Sequence, residues 1–128
     1  MTPPLFFGIL TGVMKMEKIV WQGLLYDFYG ELLTQHQRRV YEDVVFNDLS
    51  LSEIAKEQGV TRQGVHDLVR RCDRILEGYE EKLHLVKKFQ ETRRLANEIQ
   101  KLLEEYQETK DHILLRKAKE MAEKIVDI

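Results

Sequence analysis

LSEIAKEQGVTRQGVHDLVRR, residues 51–71, holds two short helical patterns on either side of a glycine. In the first, Ser50 and Glu53 have capping-box spacing, and Leu51, Ile54 and Ala55 share one face. Gly59 ends it, because glycine adopts the left-handed conformation that closes a helix, and Val60 is expected to pack into the corner. The second pattern starts from Thr61 as N-cap. Its Val65, Leu68, Val69, Cys72, Ile75, Leu76 and Tyr79 fall on one face by helical periodicity and are predicted to be core. The other face is polar: Gln63, His66, Asp67, Arg70 and Arg74, with Arg62 and Arg71 at its flanks. A capped helix, a short glycine turn and a second amphipathic helix are the anatomy of a helix-turn-helix, whose second helix offers its N-terminal residues to a groove.

Arginine and glutamine form paired hydrogen bonds with base edges, and arginine also anchors phosphates. Thr61, Arg62, Gln63, His66, Arg70, Arg71 and Arg74 are therefore the candidate nucleic-acid contacts. The same pattern fits an ordinary αα-corner whose polar face is solvated and held by intrahelical ion pairs, Asp67 with Arg70 or Arg71, while Glu77 opposes Asp73. Gly64 costs the first helical turn about 1 kcal/mol relative to alanine, so either fraying is tolerated or something approaches the backbone closely there.

Upstream, EKIVWQGLLYDFYGELL repeats Val20, Leu24, Phe28 and Leu32 at every fourth residue, and Trp21, Leu25 and Tyr29 widen the stripe into a largely buried helix. Thr34 and Gln37 then have capping-box spacing at the start of a helix whose inner face is Val40, Tyr41, Val44 and Val45. NDLS marks a loop before residue 51. The extreme N-terminus, MTPPLFFGILTGVMK, carries an apolar run that is too short to span a bilayer. No Lys or Arg precedes it, whereas Lys15 and Lys18 follow. A cytoplasmic chain without a membrane span is the expectation. Residues 1–15 are read as an extension, either upstream in-frame sequence ahead of Met14 or Met16 or a tail.

Downstream, residues 83–128 contain neither Gly nor Pro. Leu95, Ile99, Leu102 and Tyr106 form one stripe, and Leu114, Ala118, Met121 and Ile125 form another in shifted phase. Two helices joined near QETKDH, with Asp111 as cap, explain the shift; one long bent helix is the alternative. The stripes either fold onto the preceding helices or pair between two copies, and a homodimer through these helices is the preferred expectation. The expected organisation is an extension over 1–15, a helix-turn-helix domain over 16–82 and a C-terminal helical interaction region over 83–128.

Composition agrees with an all-α chain. The 128 residues are 43% hydrophobic and 33% charged, and both prolines lie near the start. A formal charge of -2 means that affinity for phosphate must come from a local basic patch. Cys72, the single cysteine, permits no internal disulfide and fits a reducing compartment. Catalysis, metals and cofactors are not expected. His36, His66, His84 and His112 are scattered, Cys72 faces inward on the helical wheel, and neither a GK[ST] phosphate loop nor a glycine-rich dinucleotide motif occurs.

The stretch LTQHQRRVYEDVVFNDLSLSEIAKEQGVTRQGVHDLVRR resembles sigma factor region 4, in which a helix-turn-helix docks on promoter DNA. DFYGELLTQHQ, DLSLSEIA, VTRQGVHD and ILEGYEEKL, in that order, are more closely similar to the YlxM family of small bacterial proteins, over roughly residues 17–89. This resemblance implies a sigma-region-4-like helix-turn-helix bundle with a C-terminal helical extension, either a hairpin or one long helix. It also implies a regulatory role in the signal recognition particle pathway. The chain is too short to hold the further domain of a complete sigma factor. Three partner classes follow: signal recognition particle RNA together with the particle's proteins; duplex DNA; or an acidic protein surface without nucleic acid.

Overall fold

The computed structural model describes residues 14–128, so the readings of the N-terminal extension and its apolar run lie outside the described residues, apart from the backbone from Met14. Six α-helices and no strand occur among them: α1 Met14–Tyr29, α2 Gln35–Val45, α3 Leu51–Gln58, α4 Arg62–Leu83, α5 Leu85–Thr109 and α6 His112–Val126. A 3-10 turn, Gly30–Leu32, follows α1. The fold is all-α and forms two compact units, one ending at His84 and the other running from Leu85 to Ile128.

In the first unit α4 packs against α1, α2 and α3. Local chemistry sets each helix start. Thr34 and Gln37 form a reciprocal capping box, with N···O distances of 2.9 and 3.1 Å. Ser50 and Glu53 form a second, at 3.0 and 3.1 Å. These bonds satisfy backbone donors that a helix leaves unpaired at its start, and they hold the Glu53 carboxyl below the ordinary carboxylate range. Gly59 closes α3 with a φ of 69°, in the left-handed region where a side chain is strained. Val60 departs from expectation: its N–H bonds to the Ala55 carbonyl at 3.0 Å, but its side chain remains 52% exposed. The backbone bond closes the corner without burial of that side chain.

The core of this unit gathers Leu25, Tyr29, Leu33, Val40, Tyr41, Ile54, Ala55, Val65, Val69, Cys72 and Leu76. The inner face of α4 lies as its periodicity predicts, with Leu68, Ile75 and Tyr79 half-buried at its margins. The first helix follows only the Trp21, Leu25 and Tyr29 side of its stripe. Val20, Phe28 and Leu32 are 59%, 37% and 56% exposed, whereas Gln22, Leu25 and Tyr29 are buried. Two causes account for this. The helix ends at Tyr29, so Leu32 belongs to the following turn, and α1 is rotated so that Gln22 and Tyr29 reach carboxylates on α4.

Those carboxylates are the polar part of the core. The Gln22 side-chain amide donates to both oxygens of Asp73, at 3.0 and 3.1 Å, and the Tyr41 hydroxyl donates to Asp73 at 2.6 Å. Tyr29 donates to Glu80 at 2.6 Å, inside the core. Burial and the adjacent Asp73 charge push the Tyr41 hydroxyl far above the ordinary phenol range, which keeps it a donor. Beside this cluster Tyr26 stacks on Tyr41, with ring centroids 5.6 Å apart, and contacts Phe46 at 5.2 Å. The Tyr26 hydroxyl donates to Glu42 and accepts from Arg38 Nε. Gly30 lies beneath the Tyr26 ring: a Cβ there would stand 2.8 Å from it.

The second unit is an αα-hairpin in which α5 and α6 pack against each other. The two-helix reading of residues 83–128 is the observed one. Leu95, Leu114 and Ala118 are buried, and Ile99, Leu102, Tyr106, Met121 and Ile125 are half-buried. Asp111 caps α6 by accepting from the Ile113 N–H at 3.0 Å. Charge also favours antiparallel pairing. Lys87, Lys88, Arg93 and Arg94 precede Glu104, Glu105 and Glu108 on α5, while Arg116, Lys117 and Lys119 precede Glu120 and Glu123 on α6. The turn therefore brings basic halves beside acidic ones, and Lys124 helps to hold the Glu91 carboxyl low, after the stronger hydrogen bond from Arg94.

Tyr41→Phe keeps the ring stack and deletes the hydrogen bond to Asp73. We expect a two-state urea transition followed by circular dichroism to show a loss of about 1.5–3 kcal/mol, the usual contribution of a hydrogen bond to a charged group. An unchanged midpoint would mean that this bond contributes nothing to stability.

Candidate nucleic-acid interface

The turn between α3 and α4 sets where the polar face of α4 begins. Thr61 is the N-cap, and its Oγ1 accepts from the Gly64 N–H at 2.9 Å. This bond accounts for the glycine in the first turn: a Cβ on residue 64 would stand 3.2 Å from the same Oγ1, so the close neighbour is the cap itself. Thr61 thus acts on the helix start, and its oxygen already has one partner.

Arg62, Gln63, His66, Arg70, Arg71 and Arg74 are all exposed on α4. Arg62, His66, Arg70 and Arg74 are each four residues apart and form one ridge, with successive side chains about 6 Å apart along the axis and a total span of about 18 Å. Gln63 and Asp67 lie beside this ridge, and Arg71 is at its far flank. Among the described residues, none of the guanidiniums of Arg62, Arg70, Arg71 and Arg74 makes an ion pair or a hydrogen bond within the protein. The intrahelical pairing of Asp67 with Arg70 or Arg71 is therefore corrected. Asp67 Oδ1 instead accepts from Gln63 Nε2 at 2.9 Å. An exposed ion pair gains little in water, so a neutral amide four residues away competes successfully for the carboxylate.

The other side of α4 has a separate role. Asp73 and Glu80 receive the hydrogen bonds from α1 and α2, and desolvation together with Asp73 holds the Glu77 carboxyl above its ordinary range. Cys72 is fully buried, and burial pushes its thiol up to about 11. A group so protonated and inaccessible is a poor nucleophile. Among the described residues, no group of three or more His, Cys, Asp and Glu side chains is placed to hold a metal ion, and no helix is long and apolar enough to cross a membrane. Beside the N-terminus of α4 is a shallow depression lined by Val40, Val60, Val65 and Leu68, with His36 and Gln58 among its walls.

Three acceptors are not legible in the sequence: Asp67, Asp73 and Glu80. Asp67 as a partner of Gln63 has a four-residue spacing that was visible but assigned to arginine. Asp73 and Glu80 as core acceptors had no signal in apolar periodicity, which scores carboxylates as surface.

Comparison with known proteins gives a consistent family. The model of UPF0122, described as "Putative helix-turn-helix protein, YlxM / p13 like", matches residues 16–118. The chain is 47% identical over 90 residues to a UPF0122 protein of Bacillus cereus strain AH187, covering 70% of this chain and 82% of that protein. UPF0122 proteins of Bacillus anthracis strain A0248 and Bacillus thuringiensis subsp. konkukian strain 97-27 are similar to the same extent.

Thr61→Ala removes the cap and should lower stability by about 1 kcal/mol in urea denaturation, the typical cost of losing such a bond. Cys72 should resist iodoacetamide at mildly alkaline pH in the folded protein and react readily in denaturant; rapid labelling of the native chain would contradict its burial. Because the folded thiol lies above the ordinary value of 9.0, the folded state holds its proton longer, and this group's contribution weakens the fold as pH rises from 9.0 towards about 11.

Proposed function

The chain belongs to the UPF0122 family, and on that basis we propose that it is a nucleic-acid-binding helix-turn-helix regulator that acts by binding rather than by catalysis. The proposed contact surface is the polar face of α4: Thr61, Arg62, Gln63, His66, Arg70, Arg71 and Arg74. The observation that carries this reading is the set of exposed guanidiniums without partners in the protein. A carboxylate-paired arginine has its charge locally neutralised, whereas an unpaired one can displace counterions from a polyphosphate and gain the entropy of their release. In this reading Arg62 and Gln63, in the first turn, approach base edges, and Arg70, Arg71 and Arg74 further along contact phosphates.

Duplex DNA is the target this geometry favours, since the major groove of B-DNA admits a helix and the deep, narrow groove of A-form RNA does not. The resemblance to YlxM proteins supports a second target, signal recognition particle RNA, engaged through shape and phosphate contacts. The particle's proteins would be further partners and the cytoplasm the site of action. Assembly as a homodimer through α5 and α6 is part of the proposal. Leu103, Leu115 and Val126 of the hairpin are 43%, 37% and 83% exposed, apolar surface that pairing would cover, and a dimer would carry two α4 helices.

Fluorescence anisotropy across a salt series, with signal recognition particle RNA and a mixed-sequence DNA duplex, tests the reading. Replacing Arg70 and Arg74 together with Ala should weaken binding and make the log-affinity slope shallower by about 1.8, as expected for two lost phosphate contacts on B-DNA. The circular dichroism spectrum should not change, because both residues face solvent. No binding of the unaltered protein to either nucleic acid at low salt would overturn the proposal.

A further inference from the structure

A carboxylate in the middle of a cationic face is unfavourable for a surface that only grips phosphates, because it repels the polyanion it adjoins. Asp67 is such a group. It stands three and four residues before Arg70 and Arg71, the spacings at which helical ion pairs form, yet neither guanidinium takes it. Its hydrogen bond comes from Gln63 Nε2 at 2.9 Å.

That bond settles which way the Gln63 amide faces. With the amide reversed, its carbonyl oxygen would confront the carboxylate, so the carboxylate holds the NH2 end towards itself. A glutamine side chain has two N–H donors and one carbonyl acceptor. With one N–H engaged by Asp67, the second N–H and Oε1 remain as an adjacent donor–acceptor pair. Adenine presents the complement in the major groove, an N7 acceptor beside an N6–H donor. Gln63 is also the second residue of α4, in the turn from which helix-turn-helix side chains reach base edges.

We propose that Gln63 reads an adenine in the major groove of duplex DNA and that Asp67 is its positioning residue, holding the amide in the reading orientation at the expense of overall affinity. This rests on the nucleic-acid reading of α4 and deepens it by naming the base and the device that selects it. The arginines supply sequence-independent attraction, and the Gln63–Asp67 pair supplies discrimination. The pair lies on the exposed face, so altering it leaves the core untouched.

The test is selection from a randomised DNA duplex library followed by anisotropy on the selected duplex, on mixed-sequence duplex, and on the selected duplex with an adenine lacking the N7 acceptor. The full-length protein should enrich one adenine and lose on the order of tenfold affinity when N7 is removed, the scale of one bidentate base contact. Gln63→Ala and Asp67→Ala should each abolish that preference. Asp67→Ala should also bind mixed-sequence duplex more tightly than the unaltered protein, an effect that a merely structural role for Asp67 would not produce. Asp67→Asn, whose side-chain oxygen still accepts from Gln63, should restore the preference without the repulsive charge. Selection without an adenine preference, or a preference that survives Gln63→Ala or Asp67→Ala, with the salt dependence intact, overturns this inference alone. Failure of the library to bind at any salt overturns the duplex-DNA reading and this inference with it.

Discussion

The hydrogen bonds that converge on Asp73 determine how α4 is seated. One comes from Gln22 on α1 and another from Tyr41 on α2, so a single carboxylate joins three helices. Glu80, two turns along the same helix, takes the Tyr29 hydroxyl. Apolar packing has little directionality and would tolerate a modest rotation of α4 about its axis. Directed bonds to two partly desolvated carboxylates do not, since a rotation that breaks them leaves buried charge poorly solvated. The arginine ridge opposite is consequently aimed by groups it never touches. The outward turn of Val20 and Phe28 on α1 follows from the same demand, because Gln22 and Tyr29 must face α4.

The features legible in the sequence are those whose cause is local. Both capping boxes, the left-handed Gly59, the Thr61 and Asp111 caps, the inner stripe of α4 and the two stripes of the hairpin each depend on residues within a turn or two of one another. The features that escaped are those in which polar residues occupy apolar positions or compete for one partner. Period counting treats tyrosine as a hydrophobe and glutamate as surface, so the Tyr29–Glu80 and Tyr41–Asp73 bonds leave no trace in it, and the Val20, Phe28 and Leu32 edge of the α1 stripe faces outward where periodicity points it inward. Val60 escaped because a corner can be closed by its backbone alone. On the polar face, the residues themselves were legible but the partner of Asp67 was not, since amide and guanidinium lie at equally suitable spacings along the helix.

The two sides of α4 therefore divide its labour. One carries carboxylates whose partners are donated by α1 and α2; the other carries guanidiniums left without carboxylates. Exchanging these arrangements would forfeit both outcomes, as arginines neutralised within the fold would no longer be available to phosphates and unpaired acids would repel them. The near-neutral whole-chain charge of -2 conceals this segregation, which appears only when charge is resolved by helix face.

The order of the bonded residues along the chain also bears on synthesis. The donors Gln22, Tyr29 and Tyr41 all precede their acceptors Asp73 and Glu80. A ribosome therefore synthesises α1, α2 and α3 before the groups that hold them together. At ordinary elongation rates the interval between Tyr41 and Glu80 lasts about 2 to 8 s. During it the nascent segment carries Leu25 and Val40 without the helix that buries them, so the first unit assembles late and cooperatively, and a stall before residue 80 would leave the apolar faces of α1 and α2 uncovered.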